Sequence, residues 1–227
     1  MSPHPYTIRR SRRAKHARIV VSADGVEVVV PERFPISRVE PFVAEKRPWI
    51  ERTLRRYRRF AEARPPARLH DGGELPYLGE RLALRVRTEP GRVRAHVARR
   101  EGELLVALGA AHELPAELEA WFRRRARSEV ELRLDAATVR AGVRYTSLQI
   151  RAQRTRWASC SSSGAMSFNW RLLLAPPEIL DYVVEHEVAH LTVHDHSERF
   201  WSLLEGRWPA YRSHERWLRD HGHTLRL

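Results

Sequence analysis

The stretch Tyr182-Val183-Val184-Glu185-His186-Glu187-Val188-Ala189-His190 decides how the chain is read. It sets two histidines four residues apart, with a glutamate after the first, on a segment of helical apolar spacing. Residues four apart in a helix lie one turn above each other, so both imidazoles can face one ion while Glu187 stands beside it. This is the H-E-x-x-H pattern, in which zinc activates a water and the glutamate serves as its general base. Ile179, Leu180, Val183, Val184 and Leu191 give the helix a face to bury, and Pro176-Pro177 marks its start.

A catalytic zinc needs a third protein ligand and keeps a fourth position open for water. His196 is the candidate. Six residues beyond His190 is about 240° around an unbroken helix, so the chain is expected to leave the helix near Val193–Asp195, helped by the tolerance of Asp195 for left-handed backbone. His194, Glu205 and His214 are rival third ligands. A further helix should begin near Ser197 and bury Phe200, Trp201 and Leu204. The bland alternative is a set of core and surface residues among 12 histidines.

Upstream of the motif, Ser147–Arg151 reads as a strand and Ser161–Gly164 as a turn cluster. Ala165–Leu174 alternates Met166, Phe168 and Trp170 on one face, and Ala165–Trp170 is expected to be an edge to which an extended substrate adds. Pro115 opens a long helix to about Ala141, with Leu118, Trp121, Phe122, Val130 and Leu134 inward. Leu82, Leu84 and Val86, then Val93–Val97 and Leu104–Leu108, have β character. Pro65-Pro66 through Asp71-Gly72-Gly73 is the linker candidate. A helix from about Pro41 to Ala63 is expected to kink or divide at Pro48. Ala17–Ser22 and Val26–Val30 read as a hairpin turning at Asp24-Gly25. The expected class is therefore α+β, with a β-rich N-terminal domain over 1–112 carrying one helix near 41–63, and a metal-binding domain over 113–227.

The net charge is +13, and Lys15 and Lys46 are the only lysines. A preference for arginine over lysine can come from genome base composition, but the excess itself favours non-specific contact with a polyanion through the summed field. No window approaches the roughly 18 apolar residues of a membrane span, and the basic N-terminal stretch lacks a following apolar signal core. Cys160 is the lone cysteine, which rules out an internal disulfide and suits a reducing, cytoplasmic setting.

The strings Arg156-Trp157-Ala158-Ser159-Cys160, Phe168-Asn169-Trp170-Arg171-Leu172, Tyr182-Val183-Val184, His186-Glu187-Val188-Ala189-His190-Leu191, and His196-Ser197 with Phe200-Trp201 resemble the YgjP-like metal-dependent hydrolases. These are zincin-type metallopeptidases of bacteria, related in design to the SprT-like and WLM proteins. The resemblance spans the chain, including Leu75–Gly79, and is most specific from Arg156 to Trp201. It implies a zincin-like C-terminal domain, His186, His190 and His196 as ligands of one Zn²⁺ per chain, and Glu187 as general base. Ala158 stands where the family usually has Gly, and Asp195 where Asn is usual.

Three functions are in view. The leading one is a zinc metallopeptidase. The second is a metal-dependent nucleoside triphosphate pyrophosphohydrolase, whose substrate charge would suit a basic protein. The third is a non-catalytic zinc-containing module that binds nucleic acid or a partner, against which the retained Glu187 argues. Candidate substrate contacts are Arg156, Asn169, Tyr211 and His214. Trp157 and Cys160 read as packing residues.

Overall fold

The computed structural model describes residues 5–22, 25–63, 67, 69–153 and 155–227. The chain divides into two units, Met1–Pro65 with Arg219–Thr224, and Pro66–Leu218 with Leu225–Leu227.

In the first unit, β3 (Gly25–Pro31) is central, parallel to β1 (Tyr6–Ser11) and antiparallel to β2 (Arg18–Ser22). Val26, Val28 and Val30 form a cluster with Val39, Val43 and Ile50 of α1 (Val39–Ala63), as the period of two in the strand and of 3.6 in the helix requires. The hairpin pairs Ser22 with Gly25; Asp24 of the expected turn lies outside the described residues. Strand β1 was not anticipated, because its residues Ile8-Arg9-Arg10 show little apolar alternation. Pro48 does not divide α1. It removes only one hydrogen bond, and Ala44, whose carbonyl is left without that partner, is exposed to water.

The second unit begins within the expected linker, whose Pro65 and Pro66 lie outside the described residues. The later linker residues join the fold, Gly72 donating to the Leu84 carbonyl at 2.9 Å and Gly73 accepting from the Leu84 N–H at 2.7 Å. Strands β4 (Glu74–Tyr77), β5 (Glu80–Thr88), β6 (His96–Arg100) and β7 (Glu103–Leu108) form a sheet in the order β4-β5-β7-β6. The strand expected at Val93–Val97 starts later, at His96, because Pro90-Gly91 opens a turn that leaves Val93 87% exposed. Helix α2 (Leu114–Ala141) matches expectation, with Pro115 in its first turn and Gly142 closing it at φ +64°.

Next come β8 (Ser147–Arg151), β9 (Ala158–Cys160) and β10 (Ala165–Asn169), ordered β8-β10-β9. This corrects the expected substrate edge. Strand β10 is central and paired on both sides, so the edges are β8 and β9. The strand also ends at Asn169, whose Oδ1 accepts the Arg171 N–H at 3.2 Å and opens a 3₁₀ turn over Trp170–Leu174. Helices α3 (Pro177–His190), α4 (Glu198–Arg207) and α5 (Tyr211–His221) complete the chain. The whole is mixed α+β, strands mainly first and helices later, as expected.

Two features fix α3. Its face toward α2 is held by ion pairs, Arg133 to Asp181 at 2.7 Å and Arg140 to Glu185 at 2.7 Å. Its first turn receives the tip of the β4–β5 hairpin. There Leu78 donates to the Leu173 carbonyl at 2.7 Å, and Gly79 sits at φ +85°, where an added Cβ would lie 3.1 Å from Pro177 Cδ. Only glycine tolerates both that backbone and that approach.

Candidate metal centre

Helix α3 buries ten of its 14 residues, and three of the ten are Glu185, Glu187 and His190. Buried charged groups need partners. Glu185 finds them in Arg140 and, at 3.6 Å, Arg207. Glu187 and the histidines are arranged differently.

After His190 the helix ends, and Thr192 and Val193 donate back to the Ala189 carbonyl. Val193 then offers its own carbonyl to His190 Nδ1 at 3.0 Å. A carbonyl can only accept, so Nδ1 carries the proton and Nε2 keeps its lone pair. The chain continues to His196, whose Nε2 lies 3.1 Å from Nε2 of His186. That is near the roughly 3.3 Å separating two nitrogens 2.0–2.1 Å from one tetrahedral ion. One ligand atom from each of His186, His190 and His196 lies within 4.8 Å of the others. Asp195 achieves this turn without left-handed backbone, contrary to expectation; its Oδ1 instead accepts the Ser197 N–H at 3.0 Å at the start of α4.

The surroundings of His186 and His190 favour the uncharged ring. Burial pushes His186 down to about 3, with His190 and His196 adding repulsion. His190 is also lowered, chiefly by burial. Neutral imidazole is the form that binds metal. Phe200, fully buried, packs on all three, stacked on His190 at 4.4 Å and edge-on to His186 and His196 at 4.9 Å each. Trp201 covers His196 at 5.6 Å and stacks on Tyr211.

Glu187 is pushed up to about 8 by burial, opposed by the charge of Arg156 and the backbone N–H of Cys160. Its Oε2 is buried with no hydrogen-bond partner among the described residues. Three imidazoles converging beside a carboxyl group without a full countercharge are a donor set that fits a divalent ion, whose charge would oppose the rise at Glu187.

The other candidates fall in different places. His194 and Glu205 are outside the cluster; Glu205 faces Arg212 at 3.5 Å. Asn169 is buried and committed to its own loop, its Nδ2 donating to the Gln153 carbonyl at 2.7 Å. Tyr211 accepts from Arg212, and His214 Nδ1 accepts from the Trp208 indole at 2.9 Å, so both belong to an aromatic layer behind Trp201 and Tyr182. Arg156 is exposed and makes no ion pair among the described residues. Cys160 is pushed up to about 11 by burial and by Glu187, which fits a packing residue rather than a nucleophile. The part of Glu185 went unread in the sequence, although a carboxylate on the apolar stripe of a helix is itself a signal.

A family model for the YgjP-like metallopeptidase domain matches residues 15–221. The chain belongs to the YgjP-like family. It is thus a metal-dependent hydrolase by family, with a three-histidine site able to hold the metal. Among solved structures, the metallopeptidase zymogen abylysin of Pyrococcus abyssi is 28% identical, covering 43% of this chain and 96% of its own, at a TM-score of 0.37. The zymogen jannalysin of Methanocaldococcus jannaschii is 16% identical, covering 38% and 89%, at a TM-score of 0.34. No curated protein matches the chain. No helix among the described residues is long and apolar enough to cross a membrane.

Proposed function

We propose that this family member is a zinc-dependent peptidase in which His186, His190 and His196 hold one Zn²⁺ and Glu187 takes the proton of the attacking water. The observation that carries the reading is the convergence of three imidazoles beside a buried glutamate that has an oxygen without a hydrogen-bond partner among the described residues. Zinc, when bound, supplies Lewis acidity that lowers the pKa of water and polarises a carbonyl or phosphoryl oxygen.

The chain's own groups do the rest. The Val193 carbonyl fixes the ring of His190, and Phe200 excludes solvent beneath all three rings. Glu187 is basic enough to accept a proton near neutrality, and Oε2 is the free acceptor. An extended peptide has a platform in β9. The bonds from Asn169 to the Trp157 carbonyl and from Ser161 to the Ala165 carbonyl turn the backbone groups of Ala158 and Cys160 away from β10. Cys160 gives its N–H to Glu187, which leaves the groups of Ala158 and the Cys160 carbonyl for substrate main chain.

A second reading, hydrolysis of a nucleoside triphosphate, has its support in Arg156, an exposed guanidinium without an ion pair among the described residues whose charge reaches Glu187. A non-catalytic zinc module is disfavoured, since it has no use for a buried base beside the ligands. The lone cysteine suits a cytoplasmic setting. The deciding experiment is a substrate screen of the zinc-loaded protein beside Glu187→Gln. Cleavage of unfolded polypeptides, lost in the variant, is expected. Nucleotide hydrolysis lost in the variant, with no cleavage across a diverse peptide library, would overturn the peptidase reading.

A further inference from the structure

Charge is not shared evenly between the two units. The first has 17 lysines and arginines against 8 aspartates and glutamates, a net +9 of the chain's +13. The second, more than twice as long, has 24 against 20. A drift of base composition toward arginine acts on both units alike. It does not make one strongly basic and leave the other close to balance.

The excess lies on the surface. Arg52, Arg55, Arg58 and Arg59 are exposed on α1, and of these only Arg55 has an acidic neighbour, Glu51 at 3.7 Å, among the described residues. Arg52, Arg55 and Arg59 recur every three or four residues, which places them along one helix face about a turn apart. The β1–β2 connection adds Arg12, Arg13 and Lys15, likewise exposed and without ion pairs among the described residues. Nearly all these cations are guanidiniums, which bind phosphate in a bidentate fork. One turn before Arg52 stands Trp49, 42% exposed. An aromatic face beside a row of phosphate-binding cations is the pairing that holds unstacked bases.

We infer that the first unit binds single-stranded nucleic acid, with the α1 arginines on its phosphates and Trp49 stacked on a base. A bilayer surface is the less suitable polyanion. The apolar stripe that α1 would insert, Val39, Val43 and Ile50, is already buried against the sheet.

The test uses the full chain and a fluorescein-labelled single strand of about 20 nucleotides, longer than the roughly 4–16 that a small module covers. Binding is followed by anisotropy from about 50 to 200 mM salt, over which attraction to phosphate weakens steeply. Binding should be indifferent to sequence. Arg52→Gln/Arg58→Gln/Arg59→Gln should weaken it at least ten-fold and flatten the log–log salt slope by about 2, at roughly 0.7 for each phosphate no longer neutralised. Trp49→Ala should cost about ten-fold on the single strand and leave a duplex of the same sequence unaffected. Arg87→Gln/Arg94→Gln/Arg100→Gln removes the same charge from exposed positions of the second unit and should stay within about two-fold of the parent, as should Glu187→Gln. Three results would overturn the inference: no binding at about 50 mM salt, an equal loss in the second-unit control, or capture by phosphatidylglycerol vesicles without capture of the oligonucleotide.

Discussion

Helices α1 and α3 differ in a way that shows how to read polar residues. In the 25-residue α1, one stripe containing Val39, Val43, Ile50 and Thr53 is buried, and Arg52, Arg55, Arg58 and Arg59 are exposed to water. In the 14-residue α3 almost every side is buried, yet the helix retains Glu185, Glu187 and His190 inside. An exposed arginine has bulk water as an alternative partner and says little alone. A buried carboxylate or imidazole has no such alternative, so it must be paired, neutral or waiting for a ligand. Glu185 is ion-paired, burial holds His186 and His190 toward the neutral form, and Glu187 has an oxygen without a hydrogen-bond partner among the described residues.

The comparison breaks most sharply at the ligands. His186→Ala, His190→Ala and His196→Ala should each abolish stoichiometric metal, since three ligands cannot spare one. Elemental analysis reads this directly. Retention in His196→Ala with loss in a His194 or Glu205 variant would reassign the third ligand. Glu187→Gln should keep the metal while turnover falls about 10²–10⁴-fold; undiminished turnover would mean another base.

Stability should follow burial. Glu185→Ala leaves Arg207, whose side chain is 18% exposed, without its carboxylate, and should cost about 3 kcal/mol by analogy with broken buried pairs. The largely exposed Arg140 adds little. Gly79→Ala should cost about 1–2 kcal/mol because its φ is left-handed. On α1, Arg52→Gln should change stability by no more than about 0.5 kcal/mol. Urea titrations of the three variants rank them. If Arg52→Gln rivals Glu185→Ala, the contrast between the helices fails.

Cys160 sharpens the same contrast through pH. With its thiol pushed up to about 11, burial and Glu187 favour the protonated form, so alkylation by iodoacetamide should be slow at pH 8 and accelerate as pH rises toward 11. In urea the midpoint should return to about 8.5. Native stability from this group is complete below that value and is lost as pH climbs toward 11. Rapid labelling of the native protein at pH 8 would show the thiol to be less buried than the fold requires.

Much of this was legible in local pattern. The long α2 followed from Pro115 and the spacing of Leu118, Trp121 and Phe122, and the start of α3 from Pro176-Pro177. The period of 3.6 put His186 and His190 on one face because a helix is defined by neighbours in sequence. Its limits were equally physical. Strand β1, with two arginines at its centre, carries little apolar alternation and is recognised only through its pairing with β3. Ala165–Asn169 alternates as an edge strand would, but alternation reports which face is buried, not how many neighbours a strand has. That number placed it between β8 and β9.

By itself, then, the sequence determined the helix, the pair of histidines on it, the glutamate between them and the net charge, all of which depend on residue type and short spacing. Only the tertiary structure decided that His196 rather than His194 or Glu205 joins the cluster, that Asn169 is committed to its loop, that β9 is the edge beside Glu187, and that most of the charge belongs to one unit. Those outcomes depend on which distant segments share a surface. A chain reveals that only when burial and hydrogen bonding must be satisfied everywhere at once.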